Sequence, residues 1–202
     1  MELTGKFLKL RRESSEDIIY LTKWLNNQDL AFLLQTGISF PTSYEKELEL
    51  YKKRLTDNFG KFPTYIDYIV ALKNSNICIG MLGCGKIDYK NGYASNTYIF
   101  FDKEQIKKNS KIPAGYLILE SIILSLDYFF NDLRINRIEV ETLDFNKNLI
   151  NLVERIGFIK EGVLRQKVFK KNQFFNVYIY SLLKNEFNNN DLIKYYQYKF
   201  NI

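Results

Sequence analysis

The segment from Lys108 to Glu120, KNSKIPAGYLILE, carries residue types that could hold an anionic group such as a phosphate. Its lysines supply positive charge, and a turn at Pro113 leads into an apolar stretch typical of a helix. A helix N-terminus favours anions because its first N–H groups are free and the helix dipole is positive there. The residues that we select for contact with the anion are Lys108, Ser110, Lys111, Pro113, Ala114, Gly115 and Tyr116.

This loop has a single glycine, Gly115, whereas loops that wrap a phosphate usually have more than one. Glycine matters there because it lets the backbone approach the ligand closely and adopt a positive φ. Two interpretations therefore stay open. The loop is either a rebuilt anion site, in which Pro113 opens the helix and lysines add charge, or a surface that has kept only the shape of one.

The chain of 202 residues contains no histidine. This composition excludes His-based triads, histidine general bases and histidine metal ligands. Any proton transfer must therefore involve carboxylates, tyrosines, cysteines, lysines or water.

Composition is that of one globular domain, with 46% hydrophobic and 26% charged residues and a net charge of +6. The positive charge fits either a basic surface or a site for an anionic ligand, and no lysine or arginine stripe indicates a specific nucleic-acid partner.

No apolar run has the length of a membrane span. Cys78 and Cys84 lie about 20 Å apart along one predicted strand, too far to bond. We expect a cytoplasmic protein without a membrane partner.

Hydrophobic periodicity and turn residues predict an alternation of strands and helices. A capping box formed by Ser14 and Asp17 opens the first helix, and one formed by Thr42 and Glu45 opens the second. Lys90-Asn91-Gly92 predicts a hairpin with a type I′ turn. The predicted strands lie at 7–11, 65–72, 77–88, 93–101, 136–142, 158–169 and 174–183, with helices at about 113–131 and from Asn146 to Gly157.

This order predicts an α+β fold with a central mixed, mostly antiparallel sheet flanked by helices. We assign residues 1–187 to a single domain and residues 188–202 to a C-terminal tail. The tail is apolar enough to dock on its own domain or on a partner.

The segment 133–165, LRINRIEVETLDFNKNLINLVERIGFIKEGVLR, resembles the C-terminal half of the GNAT superfamily of acyl-CoA-dependent N-acyltransferases. It is most similar to the RimJ/RimL-like branch, the ribosomal-protein N-terminal acetyltransferases. NQFFNVYIYSLL at 172–183 resembles the closing strand of that branch, and LKLR at 8–11 and WLNN at 24–27 also fit. Taken alone, Gly157-Phe158 could be an ordinary helix stop and Asn146 an ordinary cap; the ordered set carries the resemblance.

The resemblance implies acetyl transfer from acetyl-CoA, as co-substrate, to a primary amine by direct attack in a ternary complex, with no metal. The pantetheine arm would lie beside Ile99, Phe100 and Phe101, with Asn146 also near it. The pyrophosphate would sit on Lys108 to Tyr116. The family loop there reads [Gln/Arg]-x-x-Gly-x-[Gly/Ala], and this sequence places Ala114 and Tyr116 at its two small positions.

The family's usual acid and base positions are occupied here by other residues. Ala94-Ser95-Asn96-Thr97 stands where many relatives carry a glutamate, and Val153 stands where many carry a tyrosine. Leu149 and Val168 replace a serine and a glutamate of RimL-like enzymes. We therefore select Ser95, Tyr98 and Asn146 as catalytic candidates, with Tyr178, Tyr180, Glu139 and Cys84 as further substitutes, each of which also fits ordinary packing.

The acceptor stays open at this stage, as a small amine, an amino sugar nucleotide or a protein N-terminus. We expect it to enter over a wall near Trp24, Phe32 and Phe40, and self-association into a homodimer is also open. The rival interpretation is a non-catalytic CoA-binding or regulatory module of the same fold, because the loop and the catalytic positions depart from the family pattern. A nucleic-acid-binding role ranks third.

Overall fold

The computed structural model describes residues 2–33, 40–57, 62–200 and 202, and at 31–33 and 56–57 it describes the backbone alone. Eight strands form one sheet in the order β1-β2-β3-β4-β5-β6-β8-β7. Only β5 and β6 pair in parallel among the described strands, so the predicted mixed, mostly antiparallel sheet is confirmed. The strands are β1 (Leu3–Thr4), β2 (Leu8–Arg11), β3 (Ile66–Leu72), β4 (Cys78–Asp88), β5 (Tyr93–Phe101), β6 (Arg137–Leu143), β7 (Ile159–Lys170) and β8 (Gln173–Leu183).

Helices cover both faces of this sheet. They are α1 (Ile18–Leu25), α2 (Gln28–Leu33), α3 (Tyr44–Asp57), α4 (Lys103–Asn109), α5 (Ala114–Asp127), α6 (Lys147–Ile156), α7 (Lys184–Asn189) and α8 (Asp191–Phe200). One face, here the α1/α3 face, packs α1 and α3 against β3 and β4. The opposite face, the α5/α6 face, carries α5, α6 and α8.

Strand β3 shows why both faces are buried. Ile69 and Ala71 point to the α1/α3 face, whereas Tyr68, Val70 and Leu72 point to the α5/α6 face. Successive side chains of a strand point to opposite faces, so a strand covered on both sides is apolar almost throughout. Asp67 is the polar exception on the α1/α3 face.

Helix α5 is the main support of the α5/α6 face, and it ends in a π-helical turn at Tyr128–Asp132. Its Glu120 is fully buried and accepts the backbone N–H of Phe7 at 2.9 Å, which ties the β1–β2 turn to the helix. Burial raises the pKa of Glu120. Within the described ranges no single helix is long and apolar enough to cross a membrane, and α4 and α5 reach that length only as a pair bent by 111°.

The C-terminal segment docks on its own domain. Helix α8 lies along α5, and its Ile193 and Phe200 are fully buried. Lys199 Nζ donates to the hydroxyl of Tyr116 at 3.0 Å, and Lys6 Nζ donates to the carbonyl of Lys199 at 3.2 Å. The division that we placed between residues 187 and 188 falls inside α7 and stays a prediction.

The predicted link between Ser14 and Asp17 is present, and it is part of a buried ion pair. The Asp17 carboxylate accepts from the backbone N–H and the hydroxyl of Ser14, both at 2.8 Å. It also accepts two bonds from the Arg11 guanidinium, both at 2.7 Å, and only 2% of Asp17 is exposed. A 3-10 turn, Ser15–Asp17, connects this pair to α1.

Three local predictions were wrong. No helix was predicted between residue 101 and about residue 113, but the residues after Asp102 form helix α4, because the Asp102 side chain caps the N–H groups of Glu104 and Gln105. Helix α3 is capped by Ser43, whose hydroxyl accepts the N–H of Lys46 at 3.3 Å, and not by Thr42 with Glu45. In the β4–β5 hairpin only Gly92 has a positive φ, 67°, so the turn is not type I′.

Candidate active site

Strands β5 and β6 are hydrogen-bonded only near their N-terminal ends and then diverge. They pair at Tyr93–Arg137 and Ala94–Ile138, and no further pairing joins them in the described chain. Asn96 follows with φ of 54°, which disturbs the regular strand. The Thr97 hydroxyl then donates to the carbonyl of Glu139 at 2.8 Å, bridging the two strands where they diverge. Beyond this bridge β5 and β6 enclose a gap.

The gap opens into an apolar cavity of about 90 Å³ between the sheet, α5 and α6. Its walls include Cys84 and Ile99 from the sheet, Leu126 and Phe129 from α5 and the following turn, and Val153 from α6. Most of its lining is hydrocarbon, a surface that suits an extended, largely apolar chain.

Tyr98 lies on the opposite face of β5 and reaches across the sheet. In register, Tyr98 of β5 stands opposite Gly83 of β4, which stands opposite Asp67 of β3. The Tyr98 hydroxyl passes over Gly83 and donates to the Asp67 carboxylate. A Cβ on Gly83 would lie 2.5 Å from that hydroxyl, so glycine is what permits the crossing. Burial and the neighbouring carboxylate raise the pKa of Tyr98 far above its ordinary value, so the hydroxyl stays protonated.

Asp67 belongs to a second, polar pocket of about 330 Å³ at the start of β3, lined by residues from both faces of the sheet. Glu13 also lines it and accepts two bonds from Arg54 Nη2, at 2.9 and 3.0 Å. Burial raises the pKa of Asp67, while the Tyr98 hydrogen bond and the Arg54 charge lower it in part. Burial also raises the pKa of Glu13 despite its arginine partner. The remaining lining is Arg12, Tyr51, Leu55, Pro63, Tyr65, Ile66, Tyr68 and Tyr128.

The three predicted catalytic residues stand on both sides of the gap. Ser95 and Tyr98 lie on β5, and the Ser95 carbonyl accepts the thiol of Cys84 at 3.1 Å. Asn146 lies beyond β6 and caps α6, because its side-chain oxygen accepts the N–H of Leu149 at 3.2 Å. Gly157 ends that helix with φ of 104°. The predicted cap and helix stop are therefore confirmed, and the catalytic roles stay predictions.

The predicted anion loop, 108–116, runs from the last turn of α4 into the first turn of α5. Lys108 and Lys111 are exposed, and the Ser110 hydroxyl accepts the N–H of Ile112 at 3.0 Å. Pro113 precedes the first turn of α5. Gly115, in that turn, is exposed, and a Cβ there would meet nothing within 4 Å. The Tyr116 side chain points to Lys199, so any contact of this residue with an anion would come from its backbone.

The predicted pantetheine contacts divide between the two faces of β5. Ile99 and Phe101 pack on the α5/α6 face. Phe100 packs on the α1/α3 face against Trp24, with ring centroids 4.6 Å apart. Trp24 is only 4% exposed and donates its indole N–H to Asp102 at 3.0 Å.

Trp24 therefore supports β5 from inside the core and is not an exposed part of the expected acceptor wall, whose position stays a prediction. Phe40 is 74% exposed and remains available at the surface. The Phe32 side chain lies outside the described part of the structure.

Three residues of the site, Asp67, Gly83 and Thr97, were missed in the sequence. Gly83 could have been recognised from the sequence, because a glycine inside a strand often marks a position that another group approaches closely. Asp67, in the otherwise apolar run of β3, was a second signal.

Comparison with known proteins identifies the family. The acetyltransferase (GNAT) domain family matches residues 10–179, from β2 into β8, so the chain belongs to the GNAT acetyltransferases. The chain is 27% identical to the SPbeta prophage-derived uncharacterized N-acetyltransferase YokL of Bacillus subtilis (strain 168), covering 91% of this chain and 94% of that protein. It is 32% identical to the uncharacterized N-acetyltransferase p20 of Bacillus licheniformis, covering 59% and 63%.

The fold agrees with solved structures. A spermidine N-acetyltransferase from Vibrio cholerae in complex with CoA and spermine superposes with a TM-score of 0.76, at 22% identity, over 90% of this chain and 98% of that one. The predicted fold class is thereby confirmed. The chain is a GNAT-type N-acetyltransferase with acetyl-CoA as co-substrate, and the non-catalytic module is not favoured.

Proposed function

We propose that this enzyme transfers the acetyl group of acetyl-CoA to a primary amine of a small cationic acceptor of the polyamine type. The observation that carries the proposal is the polar pocket of about 330 Å³, which holds the carboxylates of Glu13 and Asp67. Its size falls in the range of ligand pockets, about 300–1,000 Å³. Carboxylates and tyrosine faces are the groups that attract ammonium ions. The V. cholerae relative, by its description, acts on spermidine and was solved with spermine.

The reaction needs the amine and the thioester side by side, because much of the rate of a two-substrate reaction comes from holding the reactants together. We place the pantetheine arm in the gap between β5 and β6, along Ile99 to Phe101 and near Asn146. The acceptor nitrogen attacks the thioester carbon, a C–N bond forms and the C–S bond breaks. The ammonium loses one proton before it attacks. The nitrogen loses a second proton as the amide forms, which balances the proton that the departing thiolate takes up.

Other classes of acceptor would give different results in an assay of amine specificity. Acetylation of a protein N-terminus would support the RimJ/RimL-like branch. An amino sugar nucleotide, if it is the acceptor, would contact Arg12 in the pocket wall. Cytoplasmic location and homodimer formation stay predictions of this proposal. The free thiols of Cys78 and Cys84 support a cytoplasmic location. Light scattering of the purified protein tests whether it forms a homodimer.

The acceptor can be identified by following thiol release from acetyl-CoA and the mass of the acetylated product. The panel contains spermidine, spermine, a diamine, a monoamine of equal chain length, an amino sugar nucleotide and a peptide with a free N-terminus. We expect kcat/KM for spermidine to exceed that for the monoamine at least tenfold, about 1.4 kcal/mol, because the tyrosine rings and the Glu13 carboxylate of the pocket attract the second ammonium. Equal rates for diamine and monoamine would contradict the proposed acceptor class.

The anion loop is tested by acetyl-CoA binding in the Gly115→Ala variant. At a hundred times its dissociation constant, acetyl-CoA should stabilise the wild type by about 2.7 kcal/mol. Alanine should stabilise the free protein by up to about 1 kcal/mol, since Gly115 lies in a helix. A methyl group would obstruct a pyrophosphate on the backbone, so we expect the ligand-induced rise in Tm to shrink.

Gly162→Ala is the matched control for this variant. Gly162 lies in β7, and a Cβ there also meets nothing within 4 Å. Its acetyl-CoA-induced rise in Tm should equal that of the wild type. An undiminished rise in Gly115→Ala would place the pyrophosphate elsewhere.

A further inference from the structure

The hydrogen bond between Tyr98 and Asp67 links a residue of the strand beside the β5–β6 gap to a residue of the polar pocket. Tyr98 of β5 and Gly83 of β4 are in the sheet wall of the apolar cavity, and the Tyr98 side chain extends on the face of that wall opposite to the cavity. Asp67 belongs to the wall of the polar pocket. Because the hydroxyl of Tyr98 passes over Gly83, one side-chain pair spans the strand that separates the place proposed for the thioester from that proposed for the amine.

The hydrogen-bond direction leaves the Tyr98 oxygen able to accept. Its proton points to Asp67, so its lone pairs are available to a donor such as an ammonium group. The Tyr98 oxygen can therefore accept a hydrogen bond from an ammonium group while its own proton is donated to Asp67.

We propose that Tyr98 and Asp67 form a proton relay for the acceptor amine. An N–H bond of the acceptor ammonium breaks as its proton passes to the Tyr98 oxygen. The original Tyr98 O–H bond breaks as that proton passes to the Asp67 carboxylate. The nitrogen keeps the electron pair and attacks the thioester carbon. Asp67 ends protonated and Tyr98 ends neutral, so charge and atoms balance. This inference rests on the proposed function.

The surroundings of Asp67 suit a proton acceptor. Arg54 of α3 faces it, and this guanidinium is already bound to Glu13, while Arg12 lines the same pocket. Cys84 of β4 is the nearby thiol, and burial raises the pKa of that group too. Burial likewise raises the pKa of Asp67 towards the operating pH, where proton acceptors work best.

The carboxylates of β6 are less suited to the role. Glu139 accepts from Arg137 Nε at 2.8 Å, and Glu141 accepts from Lys167 Nζ at 2.7 Å. Each therefore already neutralises a cation. Asp67 is bound instead by a neutral hydroxyl that can pass a proton on.

The test compares Asp67→Asn, Tyr98→Phe and the double variant with the full-length wild type, using acetyl-CoA and the amine that the wild type acetylates best. General acid–base groups contribute about 100- to 10,000-fold, so kcat should fall at least about 100-fold in each single variant. The kcat of the double variant should not be lower than that of the slower single variant, because each single substitution already removes the whole relay. KM for acetyl-CoA should not change.

Two further readouts separate a relay from a structural role. The acidic limb of the kcat profile, which reports protonation of Asp67, should disappear in Asp67→Asn. Asparagine still accepts the Tyr98 hydrogen bond and removes a buried charge, so the Tm of this variant should not fall. Asp88→Asn, the same change at the far end of β4, should leave both kcat and the pH profile unaltered.

The outcomes are distinct. If the wild type acetylates an amine and Asp67→Asn retains kcat within about threefold, the relay is overturned and the proposed function stands. A loss of Tm and of acetyl-CoA binding along with activity would make Asp67 a structural residue and also overturn the relay. A wild type that acetylates no amine in the panel overturns the proposed function and the relay together.

Discussion

Replacing Asp17 by alanine should lower the free energy of unfolding by about 3 kcal/mol at pH 7. The reason is that the variant leaves the guanidinium of Arg11 without the carboxylate that holds it by two hydrogen bonds of 2.7 Å. Removing one partner of a buried pair usually costs about 3–5 kcal/mol. We expect the lower end, because Arg11 also donates to Asn76 and to the carbonyl of Arg12. Urea unfolding at constant m measures the change.

The matched control is Glu2→Ala. Glu2 pairs with Lys9 at 3.2 Å, but its side chain is 45% exposed. Exposed pairs contribute about 0–1 kcal/mol, so this variant should unfold almost like the wild type. Equal losses in the two variants would contradict the buried pair as a major support of the N-terminal strand and helix.

The pH dependence of the same variant has a defined sign. Burial alone would raise the pKa of Asp17, but the hydrogen bonds from Arg11 and Ser14 outweigh it and lower the pKa below its ordinary value. The ordinary value is about 3.9. The stabilising contribution is therefore complete above about pH 4 and is lost as the pH falls through the folded-state pKa. The wild type should lose more stability than Asp17→Ala between pH 7 and pH 2.

Phe200→Ala should be the other severe change, with a loss of about 3–5 kcal/mol in the free energy of unfolding. The ring is fully buried and contacts Phe7, Tyr116 and Tyr196, with centroids at 6.4, 6.3 and 5.4 Å. Alanine would leave a cavity between α8, α5 and the β1–β2 turn. Thermal and urea unfolding both report the loss.

A second position in the same helix provides the control. Tyr198 is 86% exposed, and surface substitutions usually change stability by less than about 0.5 kcal/mol. Tyr198→Ala should therefore match the wild type. If Phe200→Ala did so as well, the docking of α8 would contribute nothing to stability.

Local signals were sufficient to predict much of the fold. The meander of β3, β4 and β5 follows from alternating hydrophobic residues between turn residues, and α6 follows from its cap at Asn146 and its stop at Gly157. Helix α4 was missed because it spans only seven residues, too few for an amphipathic period to stand out. Helix α8 was missed because its apolar positions are explained by α5 and the β1–β2 turn, which are distant in sequence.

The site could be predicted only in part for the same reason. The strand of Tyr98 and the cap at Asn146 were predicted from local signals, and the resemblance to the GNAT family selected these two residues for the site. Asp67 and Tyr98 are 31 residues apart, and they meet only because β3, β4 and β5 pair in one register. A shift of that register by one residue would send Asp67 to the opposite face. No local pattern contains this information.

The contact between α8 and the β1–β2 turn also bears on the kinetics of the molecule. Lys6 and Lys199 meet although 193 residues separate them, so their contact closes almost the entire chain into one loop. The entropy of closing a loop rises with its length, and interactions of this kind tend to form after the transition state for folding. Weakening them should speed unfolding while leaving the folding rate nearly unchanged. We therefore expect helix α8 to affect how long the folded enzyme survives more than how fast it forms.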